Sequence, residues 1–226
     1  MKRSEINAII KKFEKLLEEH CFVLPPFLSF TPEDWETKGH EYDEIRDNML
    51  GWDVTDYGEG DFNRLGLALI TLRNGSVHNP KYDKPYAEKI MMCDEGQVCP
   101  MHFHWEKMED IINRGGNDVI ITLYNSTKDG DFTDTDVEVL QDGRRYKVPA
   151  GSQVVLKPGE SLTLYPRLYH EFTAPPGGPV LIGEVSTCND DNKDNCFKEA
   201  LGRFPSIEED EPPYRLLCNE YPPAKD

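Results

Sequence analysis

No stretch of the 226-residue chain approaches the ~18 consecutive apolar residues that a membrane-spanning helix requires. The start, Met1-Lys2-Arg3-Ser4-Glu5, is followed by neither an apolar core nor a small-residue cleavage site, so a secretory signal is not expected. Positive charge is scarce: 25 Lys and Arg stand against 42 Asp and Glu, a net charge of −17 that repels phosphate backbones and anionic membranes. Nucleic acid and membrane are therefore not expected as partners, and a soluble protein of the cytoplasm is. Cysteine is sparse too, with six residues at 21, 93, 99, 188, 196 and 218 and no C-x-x-C pair. Cys93/Cys99 and Cys188/Cys196 admit a metal or redox reading, and reduced thiols are the alternative. Internal repeats and low-complexity tracts are absent. Aromatic residues are not lacking: ten Phe, ten Tyr and three Trp are enough to build a core.

The first twenty residues carry Ile6, Ile9, Ile10, Phe13, Leu16 and Leu17 at three- and four-residue spacings. This predicts an amphipathic helix, with Ser4 as N-cap and one apolar stripe to be covered by the body of the protein or a second subunit. Thr31-Pro32-Glu33-Asp34 reads as a second helix start and Asp43 to Leu50 as a further short helix. From Leu65 the pattern changes to short β-type runs: 65–72, 86–92, 98–104, 118–124, 137–140, 146–148, 153–156, 161–165, 170–173 and 180–186. Gly, Pro, Asn and Asp punctuate them, and Asp142-Gly143 is a hairpin signal. An antiparallel sandwich or barrel follows. The expected plan is one domain over 1–226, with a helical segment 1–60, a β-barrel 61–187 and an extension 188–226 holding a short helix near Phe197–Leu201.

His102 and His104, two apart on a strand, point to one face. Glu109, five residues beyond His104, is far enough on for a return strand to bring its carboxylate to the same face. With the flanking glycines Gly96 and Gly116, the string fits G-x5-H-x-H-x4-E-x6-G without a gap, and here the sequence resembles the cupin superfamily. The resemblance implies a double-stranded β-helix (jelly-roll) barrel and one more histidine from a second motif. Gly159-Glu-Ser-Leu-Thr-Leu-Tyr-Pro166-Arg-Leu-Tyr-His170 supplies it, with Pro166 displaced by one residue, the inner glycine missing and Ala174 in the place of the motif's asparagine.

Over nearly the whole length the chain is similar to the cupin-type D-lyxose isomerases, through Leu50–Gly58, Gly66–Gly75, the histidine motif and Gly202-Arg203-Phe204-Pro205. That likeness implies a homodimeric, usually Mn²⁺-dependent aldose–ketose isomerase, interconverting D-lyxose with D-xylulose and D-mannose with D-fructose. His102, His104, Glu109 and His170 are then the metal ligands. Three imidazoles and one carboxylate leave two octahedral positions for sugar oxygens and suit Mn²⁺ or Fe²⁺. Isomerisation also needs a proton-transfer group. Lys107 in the ligand hairpin, Lys89 on the preceding strand and Glu184 on a later one are candidates, with Arg203, Glu208 and Glu209 placed to close over the opening. Trp52, Trp105 and Tyr165 are available to stack on a sugar. The same ligand set serves an Fe²⁺ dioxygenase or a non-catalytic sugar-binding cupin, and the cavity wall discriminates between them.

Overall fold

The computed structural model describes residues 1–190 and 193–226. Helix α1 spans Arg3–Glu19 and buries Ile6, Ile10, Phe13, Leu16 and Leu17, the stripe that the spacing sets out. Its N-cap is Lys2 rather than Ser4, whose amide and hydroxyl both donate to the Asp210 carboxylate instead. Helix α2, Pro32–Trp35, starts with Thr31 accepting from the Asp34 amide. Helix α3 is confined to Asp43–Asp47, shorter than expected, and the chain turns away through Met49 at φ 51°.

Thirteen strands make up the two sheets of the described residues. They are β1 (Gly51–Thr55), β2 (Leu67–Asn74), β3 (Tyr86–Cys93), β4 (Val98–His104), β5 (Glu109–Gly116), β6 (Val119–Asn125) and β7 (Val137–Gln141). They continue with β8 (Arg144–Val148), β9 (Gln153–Leu156), β10 (Ser161–Leu164), β11 (Leu168–Thr173), β12 (Val180–Thr187) and β13 (Asn195–Phe197). One sheet has the order β1-β2-β3-β12-β5-β10-β7-β8 and the other β13-β4-β11-β6-β9, every paired strand running antiparallel. Facing each other, they form the expected jelly-roll barrel. The β7–β8 hairpin turns at Asp142 and Gly143, both at positive φ, the geometry of a two-residue type I′ turn.

Strand β2 reads Leu-Ala-Leu-Ile-Thr-Leu without polar alternation because both of its faces are covered. Leu67 and Leu69 join Met91, Ile111 and Ile182 in the barrel interior. Ala68, Ile70 and Leu72 turn outward with Ile90, Met92 and Leu181 against α1. Burying that outer face answers what covers the helix stripe: Phe13 meets Trp52 edge to face at 5.8 Å, and the Trp52 indole N–H donates to the Leu28 carbonyl.

Two boundaries differ from the sequence reading. Residues 51–55, assigned to a helical segment, form the edge strand β1. The helix expected over 197–201 is absent: Phe197 ends β13, which pairs with β4 across Asn195↔His104 and Phe197↔His102. Pairing at the edge of the smaller sheet satisfies the β4 backbone there. No described helix is long and apolar enough to cross a membrane.

Candidate functional site

Antiparallel register builds the site. His102 and His104 lie at the end of β4 on one face, and His170 on β11 is the direct cross-strand partner of His102. Their ligand atoms all fall within 4.8 Å of one another, and all three rings are buried. The connection Trp105–Met108 returns the chain so that Glu109 opens β5 beside Leu164 of β10 and Ser186 of β12. Its Oε1 lies 3.2 Å from Nε2 of both His104 and His170.

Two of the three imidazoles are oriented from behind. Nδ1 of His102 is 2.7 Å from the Pro100 carbonyl and Nδ1 of His170 is 3.0 Å from the Leu168 carbonyl. A carbonyl only accepts, so each Nδ1 carries the proton and each Nε2 presents a lone pair to the cavity. Glu109 Oε1, buried among these nitrogens, makes no hydrogen bond. Three buried nitrogen donors and a buried carboxylate oxygen lacking a hydrogen bond fit a divalent cation. Burial, reinforced by the neighbouring His170 and His104, holds the His102 imidazole well below its usual pKa. Burial and then the Lys107 ammonium lower that of His104. Burial pushes the Glu109 carboxyl up, but Lys107 and the adjoining imidazoles more than reverse it and hold it well below the carboxylate range. Neutral imidazoles and an ionised carboxylate are the protonation states that metal binding demands.

One wall of the cavity carries alternating charge. Lys107 Nζ lies 2.6 Å from Glu109 Oε2 and donates to Glu184 Oε1 at 3.0 Å. Lys89 Nζ approaches the same Glu184 oxygen at 3.4 Å and donates to Asn189 Oδ1 at 2.8 Å. Register explains the second contact, since Lys89 and Glu184 are paired across β3 and β12. All four of these charged residues are buried, with exposures of 3–4%. Tyr57, Leu69, Phe172 and Phe197 line the cavity as well, and Arg203 contributes to the lining while it pairs with Asp53 at 2.5 Å.

The candidates therefore separate. Lys107, Lys89, Glu184 and Arg203 line the cavity that holds the four expected ligands. Glu208 and Glu209 do not, which corrects the expectation that they close over it. Both carboxylates of Glu209 and Glu220 are engaged by Arg3, and Glu208 is tied by its backbone to the N-terminus, its carbonyl accepting from the Arg3 amide at 2.9 Å. The three aromatics named for stacking lie outside as well. Trp52 packs under α1, Trp105 meets Phe103 edge to face at 4.6 Å, and Tyr165 is on the surface beside Arg145. The aromatic lining comes instead from Tyr57 on the loop after β1, Phe172 on β11 and Phe197 on β13. Of these, Phe197 lies 5.4 Å from the His102 ring. Its place in an expected helix concealed it. All six cysteines are free thiols, and burial pushes the Cys93 thiol up to about 12, so the paired redox reading has no reactive thiolate there.

Comparison with known proteins agrees with this geometry. The sequence profile of the D-lyxose isomerase family matches residues 1–221. The D-lyxose/D-mannose isomerase of Serratia proteamaculans is 51% identical over 224 residues, 98% of each chain. That of Escherichia coli O157:H7 is 50% identical over 223 residues, again 98% of each. Among solved structures, the L-ribose isomerase of Cellulomonas parahominis with L-psicose superposes with a TM-score of 0.59 at 16% identity, covering 92% of this chain and 98% of that one, a likeness of fold. With the histidine–glutamate cluster at the heart of a match that runs almost from end to end, the chain belongs to the D-lyxose isomerase family.

Proposed function

We propose that the protein is a metal-dependent aldose–ketose isomerase that interconverts D-lyxose with D-xylulose and D-mannose with D-fructose. The observation that carries this reading is the buried run Glu109–Lys107–Glu184–Lys89 facing the candidate metal ligands across one cavity. Its support from relatives is the D-lyxose/D-mannose isomerase activity named for chains about half identical to this one. D-Lyxose and D-mannose share their configuration at C2 to C4, so one cavity that grips this part of the sugar serves both.

His102, His104, Glu109 and His170 would hold the ion, a donor set that suits Mn²⁺ or Fe²⁺, and we take it to be Mn²⁺ through the family resemblance. When bound, a divalent cation supplies Lewis acidity toward the C1 and C2 oxygens of the sugar. The chain's own groups must then move protons. Glu184 is the base in this scheme: its carboxylate takes the C2 proton of the aldose, leaving a 1,2-enediolate, and returns a proton at C1 to give the ketose. Lys107, an ammonium set between two carboxylates, donates to and recovers a proton from the sugar oxygens. It thus serves as the acid rather than the base. Lys89 fixes the Glu184 carboxylate from the neighbouring strand at 3.4 Å, and Arg203, Phe197 and Tyr57 bound the sugar along the rest of the cavity wall. A wall this charged supports the isomerase over an Fe²⁺ dioxygenase, whose pocket is commonly more apolar. A homodimer is part of the proposal through the family resemblance, and the cytoplasm through the six free thiols, which suit a reducing compartment.

The test is direct. Protein stripped with chelator and reloaded with Mn²⁺ should convert D-lyxose to D-xylulose and D-mannose to D-fructose, while the stripped protein does neither. Fully loaded protein inert toward both sugars would overturn the assignment.

A further inference from the structure

The position of Lys107 has an origin outside its own hairpin. Four residues, Trp105–Met108, connect β4 to β5, and none of their backbone amides finds a partner within the connection. The Trp105 N–H donates to the Asp194 carbonyl at 3.0 Å. The Glu106 N–H donates to Asp194 Oδ1 at 2.8 Å and the Lys107 N–H to Asp194 Oδ2 at 3.0 Å. The Met108 N–H donates to Thr187 Oγ1 at 3.2 Å. One carboxylate, 87 residues further along the chain, thus receives two consecutive amides, the second being that of Lys107 itself. Asp194 is in turn fixed: its N–H donates to the Asp190 carbonyl at 3.0 Å, and the next residue, Asn195, opens β13 opposite His104.

A loop with no internal hydrogen bonds has no conformation of its own, and its backbone amides must be satisfied from elsewhere. Consecutive amides converging on a carboxylate form an anion-binding concavity, in which each hydrogen bond is charge-assisted. Lysine has a long, flexible stem, so the reach of its ammonium is limited by where its Cα is held. We infer that Asp194 is a positioning residue for the isomerisation: it clamps the 105–108 connection so that the Lys107 ammonium stands between Glu109 and Glu184. The inference rests on the reading above in which Lys107 serves proton transfer. It extends the working site to a residue, Asp194, that is itself not among those lining the cavity.

The experiment is a double-mutant cycle on Mn²⁺-loaded protein, with kcat and KM for D-lyxose and metal content per chain measured for D194A, D194N, K107A and both double variants. A misplacement of about 1 Å costs up to about 10²-fold in rate, so D194A should lower kcat by roughly 10- to 100-fold while KM and metal content change little. D194N, which keeps one acceptor oxygen, should lose less. In the K107A background either Asp194 substitution should change kcat less than about twofold, because residues that act as one unit are not additive. Equal fold-losses in both backgrounds would overturn the inference, since Asp194 would then act independently of Lys107. So would wild-type kcat in D194A, or loss of fold or metal in D194A and D194N alike, which would make the clamp a structural one. K107A running at the wild-type rate would instead strike the role of Lys107, a failure of the underlying reading that the single variant reports by itself.

Discussion

Two charge networks, one at the junction of the chain ends and one inside the barrel, use the same ingredients. At the junction of the chain ends, the Arg3 side chain, 2% exposed, meets Glu209 at 2.7 Å and Glu220 at 2.5 Å. In the barrel, Lys107 meets Glu109 at 2.6 Å and Glu184 at 3.0 Å. Distances alone would not tell them apart. The Arg3 network is closed: Nε and Nη2 engage Glu209 while Nη1 and Nη2 engage Glu220. Its fork geometry ties both carboxylates to the one guanidinium, and neither of them lines the cavity. The barrel network is open, because lysine is a point donor, its carboxylates face a cavity, and Glu109 Oε1 has no hydrogen bond. A buried ion cluster points to chemistry when it borders space and keeps unspent valence; otherwise it holds elements together.

The contrast breaks most sharply at Glu184. E184Q should keep fold and metal yet lose 10²- to 10⁴-fold in kcat, the usual effect of removing a general acid or base. Turnover within a few-fold of wild type, with metal content verified, would remove Glu184 from the mechanism. H104A deletes a ligand nitrogen, so metal content and activity should fall together and chelator should no longer shift the melting curve. Stoichiometric metal in H104A would refute the ligand assignment.

The closed network should fail in the other currency. R3M leaves two carboxylates without their partner, and denaturant unfolding should show a loss of about 3 kcal/mol, at the low end for a broken buried pair because Glu209 stays 57% exposed. Activity at temperatures where R3M is folded should match wild type; a kcat effect with unchanged stability would reverse the distinction.

A smaller effect is expected from pH in the metal-free protein. His102 and His104 are lowered by burial, so the unfolded chain takes up protons first: stability is unaffected above about pH 6.5 and declines as pH falls below that value toward the folded pKa. Glu109, lowered on balance, contributes stability that is present above its usual value of 4.5 and is lost as pH falls further. Both act in the same direction, so the melting temperature of stripped protein should hold level down to about pH 6.5 and then decrease toward pH 4. A flat profile would show that these groups are not buried as described. Least of all should change in E208Q, whose carboxylate lies outside the cavity and whose turnover should equal wild type.

What the sequence made legible follows from how local each signal is. The histidines and Glu109 belong to one strand–turn–strand unit, where a period of two and a four-residue connection dictate facing. His170 needed the β4–β11 pairing and was reachable only through a second motif. Lys89 and Glu184 meet through β3–β12 register across 95 positions, and nothing near either residue announces the other. For Glu208 and Glu209 an acidic run looked like a mobile flap because the partner that pins it, Arg3, lies at the other end of the chain. Strand β1 escaped for a different reason. Gly51-Trp-Asp-Val-Thr55 is buried at every position, α1 covering one side and Arg203 neutralising Asp53 on the other, so no alternation survives to be read. Asp194 left no signal at all, its role being written in backbone amides rather than in side-chain pattern.

The account turns on a proton carried by a side chain between two carbons. Turnover of D-lyxose by the Mn²⁺-loaded protein in D₂O, followed by NMR of the product, reads that step. Proton transfer through Glu184 predicts deuterium at C1 of D-xylulose, rising with repeated turnover and disappearing with the activity in E184Q. Ketose formed with the original hydrogen wholly retained, however many turnovers are allowed, would contradict it.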